Sequence, residues 1–190
     1  MPRIDAFLQL GREQSCSDIH LAVGTPPLLR HNGNLTPIKY RDLTEEEINL
    51  LLGEILSDQH KSDLKQNHNV DFSYNSETAG RFRASLFEKI GGIGATFRVI
   101  PPSIPTLQEL GLPKLIQDQL NSNHGMILVT GATGTGKSTT LASMIDFLNK
   151  SQRLNIITLE DPVEFVHKSA KSLIIQREIG IHVVDYKEGL

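Results

Sequence analysis

Residues 131–139 read GATGTGKST, a glycine-rich run that fits G-x-x-x-x-G-K-[ST] at Gly131, Gly136, Lys137 and Ser138. The apolar run GMILVT (125–130) precedes it, and KSTTLASMIDFLNK (137–150) follows with apolar residues at helical spacing. This order predicts a buried strand, a tight turn and a helix, hence an α/β layer with a parallel sheet. The turn also dictates a chemistry. Its glycines Gly131, Gly134 and Gly136 let the backbone curl, so that successive N–H groups across Ala132, Thr133 and Thr135 present themselves to an anion. The helix opening near Lys137 turns its positive dipole end to the same place. Lys137 suits β- and γ-phosphates, the Ser138 hydroxyl suits Mg²⁺, and the Thr139 backbone N–H reaches an α-phosphate. An incidental lysine in a βα turn would not require this strand before it and this helix after it. The expectation is ATP with Mg²⁺ held by residues 131–139.

A second strand signal, LNIITL (154–159), runs into EDPVEFVH (160–167). Pro162 cannot donate within an interior strand, so the strand is expected to stop there. Three carboxylates stand at the stop: Glu160, Asp161 and Glu164. Acids solvating a strand end would look this way. So would carboxylates that steady a metal ion or position an attacking water, because ligands of parallel sheets collect at the strands' carboxyl ends.

Upstream, residues 4–14 carry Ile4, Phe7 and Leu8 on one helical face. DIHLAV (18–23) and the run around Asn32–Gly33 predict a strand and a hairpin. Thr44 and Glu47 have capping-box spacing ahead of a helix, a polar helix is expected over DQHKSDLKQ (58–66), and VDFSY, RFRASLFEK and GATFRVI are strand candidates. Four prolines (Pro101, Pro102, Pro105, Pro113) then forbid a continuous helix or central strand. The reading is an α+β domain over residues 1–100, a proline-rich linker over 101–112, and an α/β domain over 113–190 that opens with a helix at KLIQDQLN. Arg81, Arg83 and Arg98 fall in the strands before the linker. They either face solvent or offer planar guanidinium groups to phosphate across a subunit interface. His20 and His167 lack a partner at metal-ligand spacing and are read as hydrogen-bonding residues.

Composition narrows the partners. The net charge of −3, without a basic stretch lined by aromatics, disfavours a nucleic-acid partner. The single cysteine, Cys16, excludes an intrachain disulfide and suits a reducing compartment. No apolar run approaches the length of a membrane span, so no direct insertion is expected, and the N-terminus does not read as a signal peptide.

GATGTGKSTTLASMIDFLN, IITLEDPVEFVH and QREIG, together with SDIHLAVGTPPLLRHNGNL, GRFRASLF, GATFRVIP and IPTLQELGLP, resemble the secretion-type ATPases, most closely their type IV pilus retraction branch. The resemblance runs from about residue 16 to residue 185. It implies a PAS-like N-terminal domain followed by the first part of a RecA-like P-loop ATPase domain, in a hexameric ring of identical subunits. It further implies ATP hydrolysis between neighbouring subunits, driving pilus disassembly at the cytoplasmic face of the inner membrane against a platform protein. The acidic stretch resembles the family's Asp box, with Glu164 as the water-polarising glutamate and Glu160 and Asp161 supporting Mg²⁺ and the loop. Lys137 and the arginines Arg81, Arg83 and Arg98 would approach the nucleotide. The family's second acidic motif, its histidine box and its C-terminal helices have no counterpart before Leu190. A truncated chain that hydrolyses ATP poorly is therefore expected. The alternatives are an accessory pilus or type II secretion ATPase, a non-catalytic nucleotide-binding oligomerisation module and a small-molecule kinase. The last would want an arginine-rich lid that the chain does not supply.

Overall fold

The computed structural model describes residues 2–122, 124–132 and 134–189. The chain divides into two compact units, Met1–Ile100 and Pro101–Leu190. The fold is mixed, an antiparallel α+β unit followed by a unit with parallel strands.

The first unit opens with helix α1 (Asp5–Glu13), followed by strands β1 (Asp18–Ala22), β2 (Leu28–His31) and β3 (Asn34–Pro37). Helices α2 (Glu45–Gly53) and α3 (Asp58–Asn67) precede the long meander β4 (Asn69–Ser76), β5 (Gly80–Lys89) and β6 (Gly92–Val99). The six strands form one antiparallel sheet in the order β3-β2-β1-β6-β5-β4. Local chemistry accounts for most of these elements. Asn32 (φ 48°) and Gly33 (φ 84°) supply the two positive-φ positions of the β2–β3 turn. Thr44 caps α2 by accepting the Glu47 N–H at 3.2 Å, and Ser57 caps α3 through His60 N–H at 3.2 Å.

Alternation then separates the faces of the sheet. Ile19, Leu21, Phe82, Ala84, Leu86, Ala95 and Phe97 belong to a buried core that also holds Ile4 and Leu8 of α1 and Ile48 and Leu52 of α2. The other face is polar. In register across four strands it carries Arg83, Arg98, Asp18 and Arg30 in one row and Ser85, Thr96 and His20 in the next.

The second unit begins with a capped turn, in which Thr106 Oγ1 accepts from Glu109 N–H at 3.2 Å while Glu109 Oε2 accepts from Thr106 N–H at 2.7 Å. Leu107 within this turn is buried. Helices α4 (Lys114–Leu120) and α5 (Lys137–Ser151), strands β7 (Asn155–Glu160) and β8 (Leu173–Glu178) and the short helix α6 (Tyr186–Gly189) follow. Strands β7 and β8 pair in parallel, from Asn155 opposite Leu173 to Glu160 opposite Glu178.

One expectation is overturned. Residues 125–130 are not a buried strand. They carry no strand structure, and Met126 and Leu128 are 81% and 73% exposed. A strand exists only through a partner, and in the described sheet β7 is paired with β8 alone. Among the described residues no helix is long and apolar enough to cross a membrane.

Candidate functional site

Gly136 sits at the N-cap of α5 with φ 89°, after Gly134 at φ 81°, conformations that a Cβ would strain. Among the described residues no side chain caps this helix, which leaves the first-turn N–H groups of Lys137, Ser138 and Thr139 to a ligand. The loop folds back on the Ala132 carbonyl, which accepts from Thr135 Oγ1 at 2.8 Å and from Lys137 Nζ at 2.8 Å. Lys137 thus holds its ammonium within the loop on a neutral acceptor, which an anionic phosphate oxygen would replace with a stronger, charge-assisted bond. Ser138 is exposed, and the Thr139 carbonyl accepts from Ser143 Oγ at 2.8 Å. Thr133 lies outside the described residues.

The acidic segment is built differently. Glu160 ends β7 and is half-buried, its Oε1 accepting from Thr158 Oγ1 at 2.7 Å and from Gln176 Nε2 at 2.9 Å. Asp161 is exposed and precedes Pro162 through a cis peptide bond. Glu164 is half-buried between buried Val163 and Phe165. The structure brings Glu160 together with Thr158 and β8, and Lys137 together with Ala132, and neither set of bonds joins the loop to the acidic segment. Helix α5 begins at Lys137, and near its far end Asn149 accepts from Ala170 N–H at 2.9 Å and donates to the Lys168 carbonyl at 2.8 Å, just beyond the acidic segment.

Among the described residues no three His, Cys, Asp or Glu side chains converge as a metal cage. A Mg²⁺ ion at this site would take its ligands chiefly from phosphate oxygens and water, with few from the protein. The uncapped helix start and the open glycine loop fit a phosphate chain.

The candidate arginines lie in the first unit. Arg83 stands opposite Arg98 in the β5–β6 register, and like charges face to face need compensation. Asp18 supplies it: its nearly buried carboxylate accepts from Arg98 Nε at 3.0 Å and lies 3.5 Å from Arg30 Nε. Arg81 and Arg83 are half-buried, while Arg98 is exposed. His20 Nδ1 lies 3.2 Å from Thr96 Oγ1, and its Nε2 is buried with no hydrogen-bond partner among the described residues. Burial lowers its pKa, with Arg30 adding to the effect and Asp18 opposing it. Burial likewise lowers the pKa of His167, against the pull of Asp146 and Glu160.

Gln176 and Glu178 of β8 fall within QREIG, one of the stretches that carry the family resemblance, but the run LIIQRE, three apolar residues followed by three polar ones, gives neither of them a role.

The glycine loop that opens α5 carries the G-x-x-x-x-G-K-[ST] pattern of the phosphate-loop class of proteins. The chain belongs to the family described as "Type II/IV secretion system protein", whose profile matches residues 4–186. It is 38% identical over 98% of its length to the "Type IV pilus retractation ATPase PilT" of Pseudomonas aeruginosa, covering 54% of that protein. To a "Twitching motility protein" of Neisseria gonorrhoeae it is 41% identical, with 86% of this chain and 44% of the relative covered. The crystal structure of the pilus retraction motor PilT with bound ADP superposes with a TM-score of 0.89 at 40% identity, over 97% of this chain and 54% of the motor. The chain spans about half the length of these relatives.

Proposed function

We propose that this chain is the N-terminal and nucleotide-binding part of a motor ATPase that powers type IV pilus retraction. The observation that carries the reading is 38% identity to a retraction ATPase over 98% of the chain, with the phosphate loop intact inside the match. In this reading residues 131, 132 and 134–139, together with Thr133, cradle the phosphates of ATP. Lys137 exchanges the Ala132 carbonyl for β- and γ-phosphate oxygens, while Ser138, Glu160 and Asp161 would hold Mg²⁺, which would supply neutralisation of charge on the phosphates. Glu164 orients a water in line with the γ-phosphate, and as the new P–O bond forms the bond to the ADP oxygen breaks. Arg81, Arg83 and Arg98 act on the nucleotide of a neighbouring subunit in a hexameric homo-oligomer, with Asp18 holding Arg98 in place. The ring works at the cytoplasmic face of the inner membrane, engages a platform protein there, and inserts no segment into the bilayer.

Nucleotide binding with slow hydrolysis is the property expected of these 190 residues on their own, because the contacts of Lys137 and Glu160 lie in separate networks. Multiple turnover is expected to be slow until neighbouring subunits complete the site. The test is single-turnover hydrolysis of ATP by the wild type and by Glu164→Gln. The expected result is a rate lower by roughly 100-fold in the variant with unchanged affinity, the size typical of a lost general-base or water-positioning group. Tight binding with no hydrolysis by the wild type would instead make this a regulatory nucleotide module.

A further inference from the structure

We infer that Gln176 and Glu178 are the positioning residues of the acidic segment 160–167, and that they set where Glu160 and Glu164 stand. The two lie two residues apart on β8, and so on one face of the strand. Gln176 makes three bonds with one side chain. Its Nε2 donates to Glu160 Oε1 at 2.9 Å and to the Phe165 carbonyl at 2.8 Å, while its Oε1 accepts from His167 N–H at 2.8 Å. Those partners fix the amide orientation, since turning it over would set the NH₂ group against an N–H and the oxygen against a carboxylate and a carbonyl. Glu178 is buried, and its Oε2 accepts from Val163 N–H at 2.9 Å. Its own N–H donates to His182 Nδ1 at 3.0 Å, which ties the end of β8 to the turn that follows.

The consequence is geometric. The segment leaves β7 at Glu160 and passes Pro162, where regular strand pairing ends. From there on β8 side chains take over the work of the ladder: Val163 is held by Glu178, and Phe165 and His167 by Gln176. Glu164 lies between two residues fixed from β8, so its backbone is bracketed on both sides. Glu160 is held directly. The amide of Gln176 donates to a carboxylate without adding charge, which a lysine or arginine at that place would do. That aims Glu160 and leaves its carboxylate available to a metal ion or water.

This inference rests on the proposed ATPase reading, and the experiment separates the two. Single-turnover ATP hydrolysis and binding of a fluorescent ATP analogue are measured for the wild type, Gln176→Ala and Gln176→Glu. Amide exchange at Val163 and His167 is followed in parallel. Neither substitution touches residues 131–139, so analogue affinity should change by less than about twofold. The hydrolysis rate should fall by roughly 10- to 100-fold in both variants, as for other residues that orient catalytic groups. Gln176→Glu matters most. It keeps the size and the acceptor for His167 N–H while losing the donors to Glu160 and the Phe165 carbonyl, so unchanged exchange at His167 would show that a lost rate comes from a misplaced Glu160 and not from a loosened segment. The inference requires a loss as large as that of Gln176→Ala, because a second carboxylate then faces Glu160. Wild-type rates in either variant overturn the inference and leave the ATPase reading intact. If the wild type binds nucleotide without hydrolysing it, the ATPase reading falls and exchange decides the inference. At least tenfold faster exchange at His167 in Gln176→Ala supports the clamp, and unchanged exchange overturns it.

Discussion

Asn149→Ala should loosen the second unit while leaving the first untouched. Asn149 lies in the last turns of α5 and is 1% exposed, with both ends of its amide engaged by the 168–170 backbone. Each such hydrogen bond contributes about 0.5–1.5 kcal/mol net. Losing two costs roughly 1–3 kcal/mol, and the space left by the missing amide adds about 1 kcal/mol. The main-chain bonds from Lys171 and Ser172 to the Asn149 carbonyl survive the change, so the lower half of this range is the better expectation, about 2 kcal/mol. A loss of 2 kcal/mol multiplies the open population by roughly 30. Native-state hydrogen exchange followed by mass spectrometry reads this peptide by peptide, with peptides of β5 and β6 as the internal control. Exchange in α5 and in residues 163–172 should quicken by about 30-fold, with β5 and β6 unchanged. Asn149→Asp should do at least as much harm, because a carboxylate would face the Lys168 carbonyl. Wild-type exchange in α5 for Asn149→Ala would refute the idea that this side chain fastens the helix to the loop.

Tyr74→Phe removes the 2.7 Å donor to Asp5 Oδ1, whose carboxylate is buried at the start of α1. The expected cost is about 1.5–3 kcal/mol, read as a lower urea midpoint at constant slope. Burial and then the Asp5 bond push the Tyr74 phenol well above its usual range. Its stabilising effect is therefore complete below about pH 10 and declines above it, as unfolded tyrosine ionises while the folded phenol does not. At acid pH the histidines matter. With folded pKa values lowered by burial, His20 and His167 stabilise fully above about pH 6.5 and lose that contribution as pH falls, because the unfolded chain takes up protons first. Urea midpoints should drop between pH 7 and 5.5, and His20→Gln should flatten the slope.

What the sequence disclosed was whatever short-range chemistry determines. The Asn32–Gly33 turn and the Thr44 cap depend on residues within four positions of one another, and both stand as read. The alternation in β5 separates Phe82, Ala84 and Leu86 from Arg81, Arg83 and Ser85 because a pleated strand has a period of two. The GMILVT segment failed for the complementary reason. Apolar residues mark a segment that wants burial, but only a neighbouring strand makes it a strand, and no local pattern reports that neighbour. The candidate site divides along the same line. The phosphate loop is nine contiguous residues and declares itself. The bracing of the acidic segment comes from Gln176 and Glu178, polar residues whose partners lie 9–16 positions away. Their type alone carries no sign of where those bonds go.

Calorimetric titration of the chain with MgATP is the most direct test of the proposal that residues 131–139 bind a nucleoside triphosphate. Saturable binding at one site per chain is expected, weakened at least tenfold by Lys137→Ala, with the unfolding midpoint of the unliganded variant unchanged because the Lys137 ammonium bonds Ala132 within its own loop. Equal affinity in the wild type and Lys137→Ala, or no binding by a folded wild-type chain, would contradict it.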